Sequence, residues 1–128
     1  EEIDRMTKWV VDKLGHDVPM HFTAFHPDWK MMYVPSTPAG TLSRARDIAM
    51  NNGVHYAYTG NVSDVAGGST YCHHCGEMVI TRNQYILSHW KLDASGHCLS
   101  CGAAIPGVFD GPPGTWGARR QPVRLSEM

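Results

Sequence analysis

The sequence predicts a mixed α/β protein in which two helix-strand units precede a small β module. Apolar residues recur at helical spacing twice in the first half, and a short run rich in β-branched and aromatic residues follows each time. Two C-x-x-C pairs then mark a compact module in the second half. We therefore divide the chain into residues 1–66, residues 67–110 and an extended tail, 111–128.

The first helix is predicted before Gly15. Its apolar residues recur every three or four positions: Ile3, Met6, Trp9, Val10 and Leu14. Charged residues fall between them, which is typical of an amphipathic helix. Glycine ends helices readily because it adopts a positive φ without strain. The following run, residues 18–25, predicts a buried strand with Pro19 at its start.

The second helix is predicted to begin after Thr37, with this threonine as the N-cap and Pro38 at the first helical position. Its inward stripe consists of Leu42, Ala45, Ile48 and Ala49. Gly53 follows it, and residues 54–59 predict a second strand. Because a helix separates the two strands, they should lie parallel and be joined by a right-handed crossover.

This first half contains too few elements to enclose a core. Parallel sheets are normally covered by helices on both faces, and two strands do not make an independently stable sheet. The chain also begins with Glu1 rather than methionine. We expect a processed protein or a piece of a longer one, whose missing strands come from other residues or from another chain.

Four cysteines organise the second half. Cys72 and Cys75 form the first pair, 22 residues intervene, and Cys98 and Cys101 form the second. Two such turns can face each other and offer four thiolates to one tetrahedral ion. A glycine follows each pair, where the turn of a metal knuckle needs a positive φ. The spacing predicts a zinc ribbon with one structural Zn²⁺ held by these four cysteines.

Three alternatives stay open at this point. Iron can bind the same four thiolates, because the spacing specifies tetrahedral sulfur ligation better than it specifies the metal. Two disulfides would need an oxidising compartment and would be strained within C-x-x-C pairs. His73 and His74 could replace a cysteine as ligand, although we expect them to be solvated loop residues.

The rest of the second half is predicted from turn residues. Small polar residues at 63–70 indicate a linker. Residues 78–81 and 85–92 predict two strands of the ribbon, with a turn at 82–84. Beyond Phe109, the sequence Gly-Pro-Pro-Gly at 111–114 breaks regular structure, so the tail is expected to be extended or mobile.

Composition and hydropathy make some partners less favoured. The net charge is −1 with neutral histidines, so no global basic field would attract nucleic acid. No stretch approaches the roughly 20 apolar residues of a membrane span. Paired cysteines with metal spacing favour a reducing compartment, and we expect a cytoplasmic protein.

Several stretches, taken in order, carry a family resemblance. They are residues 21–27 (HFTAFHP), 37–38 (TP), 41–42 (TL), 45–49 (ARDIA), 56–62 (YAYTGNV) and, after the ribbon, 105–107 (IPG). Together they resemble the radical S-adenosylmethionine enzymes related to pyruvate formate-lyase activating enzymes, in particular those encoded with AMMECR1-like and Memo-like partners. The match runs from about Val18 to Phe109.

The resemblance implies that residues 1–66 are the C-terminal fragment of a partial (β/α) barrel, with 18–25 and 54–59 as its last strands. In this family a C-x-x-x-C-x-x-C loop near the start of the barrel holds a [4Fe–4S] cluster that cleaves S-adenosylmethionine. This sequence contains no such loop, since all four cysteines lie in the ribbon. The cluster and the cofactor are thus implied for a full-length parent, and this chain alone should be inactive.

The ends of the two strands carry the candidate cofactor contacts. Functional groups of β/α barrels gather at the C-terminal ends of the strands. His26 and Asn61 lie there, and the resemblance places this edge against S-adenosylmethionine. His26 with Pro27 can equally serve to turn the chain out of the strand. His21 and His55, within the strands, are expected to be structural, and no catalytic residue is assigned.

Two functions follow from these observations. In the first, the chain is the C-terminal portion of a radical S-adenosylmethionine enzyme, and its partner is the missing N-terminal barrel segment or an equivalent chain. AMMECR1-like and Memo-like proteins are further expected partners. In the second, it is a self-standing zinc-ribbon module that binds a protein or nucleic acid.

Overall fold

The structure is a computed structural model that describes residues 1–125. It has a mixed α/β fold with a two-stranded and a three-stranded sheet. The elements in chain order are α1 (Glu2–Leu14), β1 (Met20–Thr23), a 3-10 turn (Trp29–Met31), α2 (Ala39–Asn51), β2 (Ala57–Gly60), α3 (Val65–Gly68), β3 (Thr70–Tyr71), β4 (Met78–Asn83) and β5 (Ile86–Trp90). In this part of the chain, none of the helices combines the length and apolar character needed to cross a membrane.

The first sheet is the predicted parallel pair, β1 with β2. Its register runs from Met20 opposite Ala57 to Thr23 opposite Gly60. One face packs on α2 in the first core cluster, which consists of Phe22, Ala24, Leu42, Ala45, Ala49, Val54 and Ala57. Within residues 1–125 no further strand joins this sheet, so both outer edges lack a strand partner.

Helix α1 is confirmed, and Gly15 ends it with φ 92°. The inward face differs from the predicted one, however. Ile3 and Val11 pack on the core with the buried Thr7 between them, whereas Met6, Trp9 and Leu14 are exposed. Hydrogen bonds explain the difference. The Thr7 hydroxyl donates to the Ile3 carbonyl and accepts from the side-chain amide of Asn52 at the end of α2. These hydrogen bonds orient the helix so that, of the predicted apolar residues, Ile3 faces the core and Met6, Trp9 and Leu14 face outward.

The predicted N-cap of α2 is wrong. Pro38 occupies the cap position and the helix begins at Ala39 without a side-chain cap. The Thr37 hydroxyl instead accepts a hydrogen bond from the N–H of Phe25 at 2.9 Å, and the Thr37 N–H donates to the Phe25 carbonyl at 3.1 Å. Thr37 thus pairs with the segment that leaves β1 and closes the loop between them.

The predicted linker at 63–70 is partly structured. Asp64 caps the short helix α3 by accepting from the N–H of Gly67, and its other carboxylate oxygen accepts from the Thr59 hydroxyl, both at 2.9 Å. β3 follows at once and pairs with β4. The linker prediction missed this helix because it did not treat Asp64, within the same stretch, as an N-cap.

The second sheet has the antiparallel order β3-β4-β5. β4 extends to Asn83, two positions beyond its predicted end, so the hairpin turn falls at Gln84 and Tyr85 rather than at 82–84. The tail from residue 111 to 125 is exposed over most of its length and forms no helix or strand, apart from a single helical position at Leu125. The prediction for residues 126–128 lies outside the described residues.

Candidate metal centre and adjoining cleft

The four cysteines converge as predicted. One sulfur from each of Cys72, Cys75, Cys98 and Cys101 lies within 4.8 Å of the other three. The Sγ atoms of Cys72 and Cys101 are 3.6 Å apart, and those of Cys75 and Cys98 are 3.7 Å apart. A tetrahedron with metal–sulfur bonds of about 2.3 Å has edges of about 3.8 Å. The four sulfurs are therefore positioned to bind one tetrahedral metal ion.

Two backbone turns of the same design hold these sulfurs. In the first, the N–H of Gly76 donates to the Cys72 carbonyl at 2.9 Å; in the second, the N–H of Gly102 donates to the Cys98 carbonyl at 2.7 Å. The two glycines have φ of 76° and 78°, which confirms why glycine follows each pair. The N–H of each first cysteine also donates to the carbonyl five residues later, at 2.8 and 2.9 Å.

The alternatives to a four-thiolate site find no support in the geometry. All four cysteines are free, and sulfurs 3.6 Å apart are well beyond the roughly 2.05 Å of a disulfide. His73 and His74 are both exposed and neither belongs to the metal-binding group. His73 instead places its Nδ1 2.8 Å from the Tyr56 hydroxyl.

The thiols influence one another's ionisation. Desolvation raises the pKa of Cys98, but backbone N–H groups of Cys101 and Ser100 and the neighbouring thiols outweigh it and lower that pKa to about 7. For Cys101 a backbone N–H of Ala103 lowers the pKa, yet desolvation and the three other thiols raise it to about 12. One thiolate thus opposes the formation of the next. A divalent cation at the centre would remove this repulsion, as expected for a metal site.

The ribbon has its own core, shared with one residue of the parallel sheet. The second core cluster consists of Tyr56, Cys72, Val79, Ile80, Leu92, Cys98 and Ile105. Tyr56 immediately precedes β2, and its burial raises the pKa of its hydroxyl group. The division between 1–66 and 67–110 stays a prediction, and Tyr56 packs across it.

Three histidines form a column along the same boundary. The ring of His55 stacks on His16 and on His73, with centroids 5.1 and 5.2 Å apart. His16 Nδ1 lies 2.7 Å from the Gly53 carbonyl, and His55 Nδ1 lies 2.9 Å from Asp17 Oδ1. These partners anchor the column to the loops that precede β1 and β2.

A cleft of about 790 Å³ separates the parallel sheet from the β4–β5 hairpin. Strand alternation explains its lining: His21 and Tyr58 project from the face opposite to Phe22 and Ala57. Their rings stack with centroids 5.0 Å apart. The ribbon contributes Arg82, Gln84 and Tyr85 to the opposite wall.

The two candidate cofactor contacts occupy different places. Asn61 lines the cleft, has φ 58° and donates through Nδ2 to the Ala24 carbonyl at 3.2 Å. His26 is exposed and does not line the cleft. The structure thus brings Asn61, but not His26, to the cleft, and both stay predictions as cofactor contacts.

Three other lining residues of the cleft were not predicted as ligand contacts. His21 was expected to be structural, and Tyr58 and Arg82 were not singled out. The signal for the first two was available, because a period of two places both of them opposite the buried residues of their strands. Arg82 could not be found in this way, since its approach depends on how the ribbon folds against the sheet.

Comparison with known proteins adds one relative. The chain is 42% identical, over 98 residues, to an uncharacterized protein of Methanocaldococcus jannaschii. The matched region covers 76% of this chain but spans only 29% of that protein's length. No protein-family model matches the chain, and no solved structure matches it.

Proposed function

We propose that the chain is the C-terminal portion of a radical S-adenosylmethionine enzyme similar to glycyl-radical-activating enzymes, with a structural zinc site. The observation that carries the proposal is the architecture of residues 1–62. Two parallel strands have helices on one face and a cleft on the other. This arrangement supports the proposal, because the interior of a β/α barrel faces away from its helices.

The open surfaces of this sector support the proposal. A groove of about 440 Å³ lies where β1 meets the start of α1 and α2, and His21, Phe22 and Thr23 line it. Trp9 and Leu14 on α1 are each 57% exposed. The rest of a partial barrel would cover such surfaces, and the matched relative is long enough to contain it, since the matched region is 29% of its length.

In this proposal the chemistry depends on a segment outside the chain. The parent would hold S-adenosylmethionine and a [4Fe–4S] cluster on residues not present here, because all four cysteines belong to the ribbon. Asn61 at the end of β2 and His26 beyond β1 would help to position the cofactor. AMMECR1-like and Memo-like proteins are the proposed partners, and the compartment is the cytoplasm.

Zinc is the proposed metal of the ribbon. Four thiolates complete a tetrahedral shell, so no coordination position is left for water or substrate. Such a site stabilises the fold and does not act as a Lewis acid. Metal analysis of chain purified without added zinc should give one zinc per chain, whereas iron with the visible absorption of a ferric thiolate site would contradict the assignment.

The enzymatic proposal is tested with the full-length relative from Methanocaldococcus jannaschii. The relative and this chain are each reconstituted anaerobically with iron and sulfide, reduced, and given S-adenosylmethionine. We expect 5′-deoxyadenosine from the relative and none from this chain. A relative that binds no cluster and forms no product would contradict the proposal, and so would product formed by this chain without its ribbon cysteines.

The alternative function is that of a self-standing ribbon module for a protein partner. The observation that favours it is the loop after β1, where Trp29, Met32 and Tyr33 are 79%, 68% and 83% exposed. A net charge of −1 disfavours nucleic acid, although Arg119 and Arg120 form a local basic segment in the tail. Failure of the relative to form 5′-deoxyadenosine would leave this alternative as the favoured one.

A further inference from the structure

We propose that the cleft between the parallel sheet and the ribbon hairpin binds a small ligand through a carboxylate or phosphate group, and that Arg82 is the residue that binds it. The proposal is independent of radical chemistry. It rests on the hydrogen-bonding state of Arg82, on the charges that line the cleft and on the rings beside them.

Arg82 is held in place along one edge of its guanidinium group. Nη1 donates to the Thr70 hydroxyl at 2.5 Å and to the Gly68 carbonyl at 3.4 Å. The Thr70 hydroxyl is also 2.9 Å from that of Tyr58, and the Arg82 Cζ lies 5.7 Å from the centre of the Tyr58 ring. The side chain is therefore oriented before any ligand arrives, which reduces the entropy lost on binding.

The opposite edge of the same group has no protein partner. Among residues 1–125, neither Nε nor Nη2 of Arg82 makes a hydrogen bond, and no carboxylate lies within ion-pairing distance. The Nε and Nη2 donors form the planar fork that matches two oxygens of a carboxylate or phosphate. A partly buried arginine with this fork free has the geometry of an oxyanion receptor.

Arg82 is the charged side chain of the cleft that has donors available for a ligand. Arg82 is the one permanent cation among its described lining residues, and Asp64 is the one carboxylate. The two oxygens of Asp64 already accept hydrogen bonds from the Thr59 hydroxyl and the Gly67 N–H. This carboxylate therefore serves as the N-cap of α3.

The remaining wall suits the body of a small organic anion. The rings of Tyr58 and His21 stack on one wall, and Tyr85, 77% exposed, stands at the hairpin turn on the other. A cleft of about 790 Å³ falls within the 300–1,000 Å³ typical of small-molecule sites. The ligand class is thus a carboxylate or phosphate attached to a planar group.

The experiment uses the zinc-loaded full chain and two probes, benzoate and inorganic phosphate, with chloride as the ionic-strength control. Binding is followed by ¹H–¹⁵N spectra that include the arginine Nε–H resonances. We expect a saturable shift of the Arg82 Nε–H with benzoate and phosphate, tighter for benzoate because its ring contacts the aromatic wall. Chloride should give no saturable shift.

Substitutions at Arg82 then distinguish binding by the paired Nε and Nη2 donors from binding by positive charge alone. Arg82→Lys keeps the charge but loses the fork and should weaken benzoate about tenfold, and Arg82→Gln should weaken it further. Arg5→Gln, an exposed arginine on α1, is the matched control and should leave the affinity unchanged. Equal affinity in the chain and both Arg82 variants, or shifts confined to Arg119 and Arg120, would overturn the proposal.

One further variant covers the case in which both Arg82 variants misfold. Gln84→Glu adds a negative charge at an exposed turn position of the cleft wall, at a residue that is neither one of the four cysteines nor a hydrogen-bond partner of Arg82. It should weaken both probes several-fold at low salt, and less at high salt because the charges are screened. An unchanged affinity at low salt would count against an anion site in this cleft.

Discussion

The β/α layer and the ribbon are stabilised in different ways. The layer, residues 1–62, depends on an apolar cluster between one face of a two-stranded sheet and α2, and within residues 1–125 no further strand pairs with either edge of that sheet. The ribbon, residues 67–110, contains two matching cysteine turns and a three-stranded sheet. A metal can replace a large apolar core in a small module, whereas a two-stranded sheet needs other elements packed against it.

The largest effect should come from the metal. Cys98→Ser removes a buried ligand, so residues 71–105 should lose protection in hydrogen–deuterium exchange, because a bound metal contributes on the order of 10 kcal/mol to the folding of a small zinc domain. Helices α1 and α2 should keep theirs. Ser100→Ala, in the same turn, is the control and should exchange like the unmodified chain. Simultaneous loss of protection in both regions would contradict the boundary between 1–66 and 67–110.

A second test concerns α3, which joins the two regions. A Cβ at Gly67 would overlap the Asp64 carboxylate and the Thr59 hydroxyl, whereas a Cβ at Gly68 would meet only the Arg82 carbonyl at 4.0 Å. Gly67→Ala should lower the free energy of unfolding by about 2–3 kcal/mol in urea titrations. Gly68→Ala should be neutral or stabilising by up to about 1 kcal/mol. The reverse order would show that α3 does not fix the junction.

A smaller effect is expected at the boundary itself. Tyr56→Phe removes the hydroxyl that lies 2.8 Å from His73 Nδ1 but keeps the packed ring. Because His73 is exposed and water can replace the lost partner, stability should fall by about 1 kcal/mol. Tyr71→Phe, whose hydroxyl makes an exposed bond to Ala66, is the control. Equal thermal shifts for the two variants would indicate that the Tyr56 contact does not couple the regions.

The smallest effect is expected within the β/α layer, on the pKa of Asp4. The pKa of Asp4 is lowered by its hydrogen bond with Lys8 and then by that with Asn52, which joins α1 to the end of α2. A carboxylate whose folded-state pKa is depressed stabilises the fold above its unfolded value, and this is lost as pH falls through the folded value. Carboxyl NMR titration should show the Asp4 pKa below 3.8, and closer to it in Asn52→Ala. An unchanged Asp4 pKa in Asn52→Ala would exclude Asn52 as a cause of the lowered pKa.

The two regions also differ in how much of their structure could be predicted from the sequence. The cysteine spacing and the glycines after each pair predicted the four-sulfur group because the turn geometry is local. The helix α1 was predicted correctly but its buried face was not, since Thr7 and Asn52 are 45 positions apart and meet only in the fold. Thr37 was wrongly assigned as the N-cap of α2 for the same reason. Its hydroxyl accepts a hydrogen bond from Phe25, which is 12 positions away.

The cleft also combines residues that the sequence could predict with residues that it could not. Asn61 was selected by its position at a strand end and does line the cleft, whereas His26, selected by the same rule, lies outside it. The rule fixes the strand end but not the direction of the loop that follows. The cleft wall formed by Arg82 and Tyr85 depends on the docking of the hairpin against the sheet, and no local pattern encodes it.

We propose that four thiolates of one chain hold one structural zinc ion. X-ray absorption at the zinc edge, on chain purified without added metal, reports the atoms that surround this ion. We expect four sulfur neighbours at about 2.3 Å and no nitrogen or oxygen neighbour. Three or fewer sulfurs with a nitrogen or oxygen in the first shell would contradict the closed four-cysteine site, and so would a chain that carries no zinc.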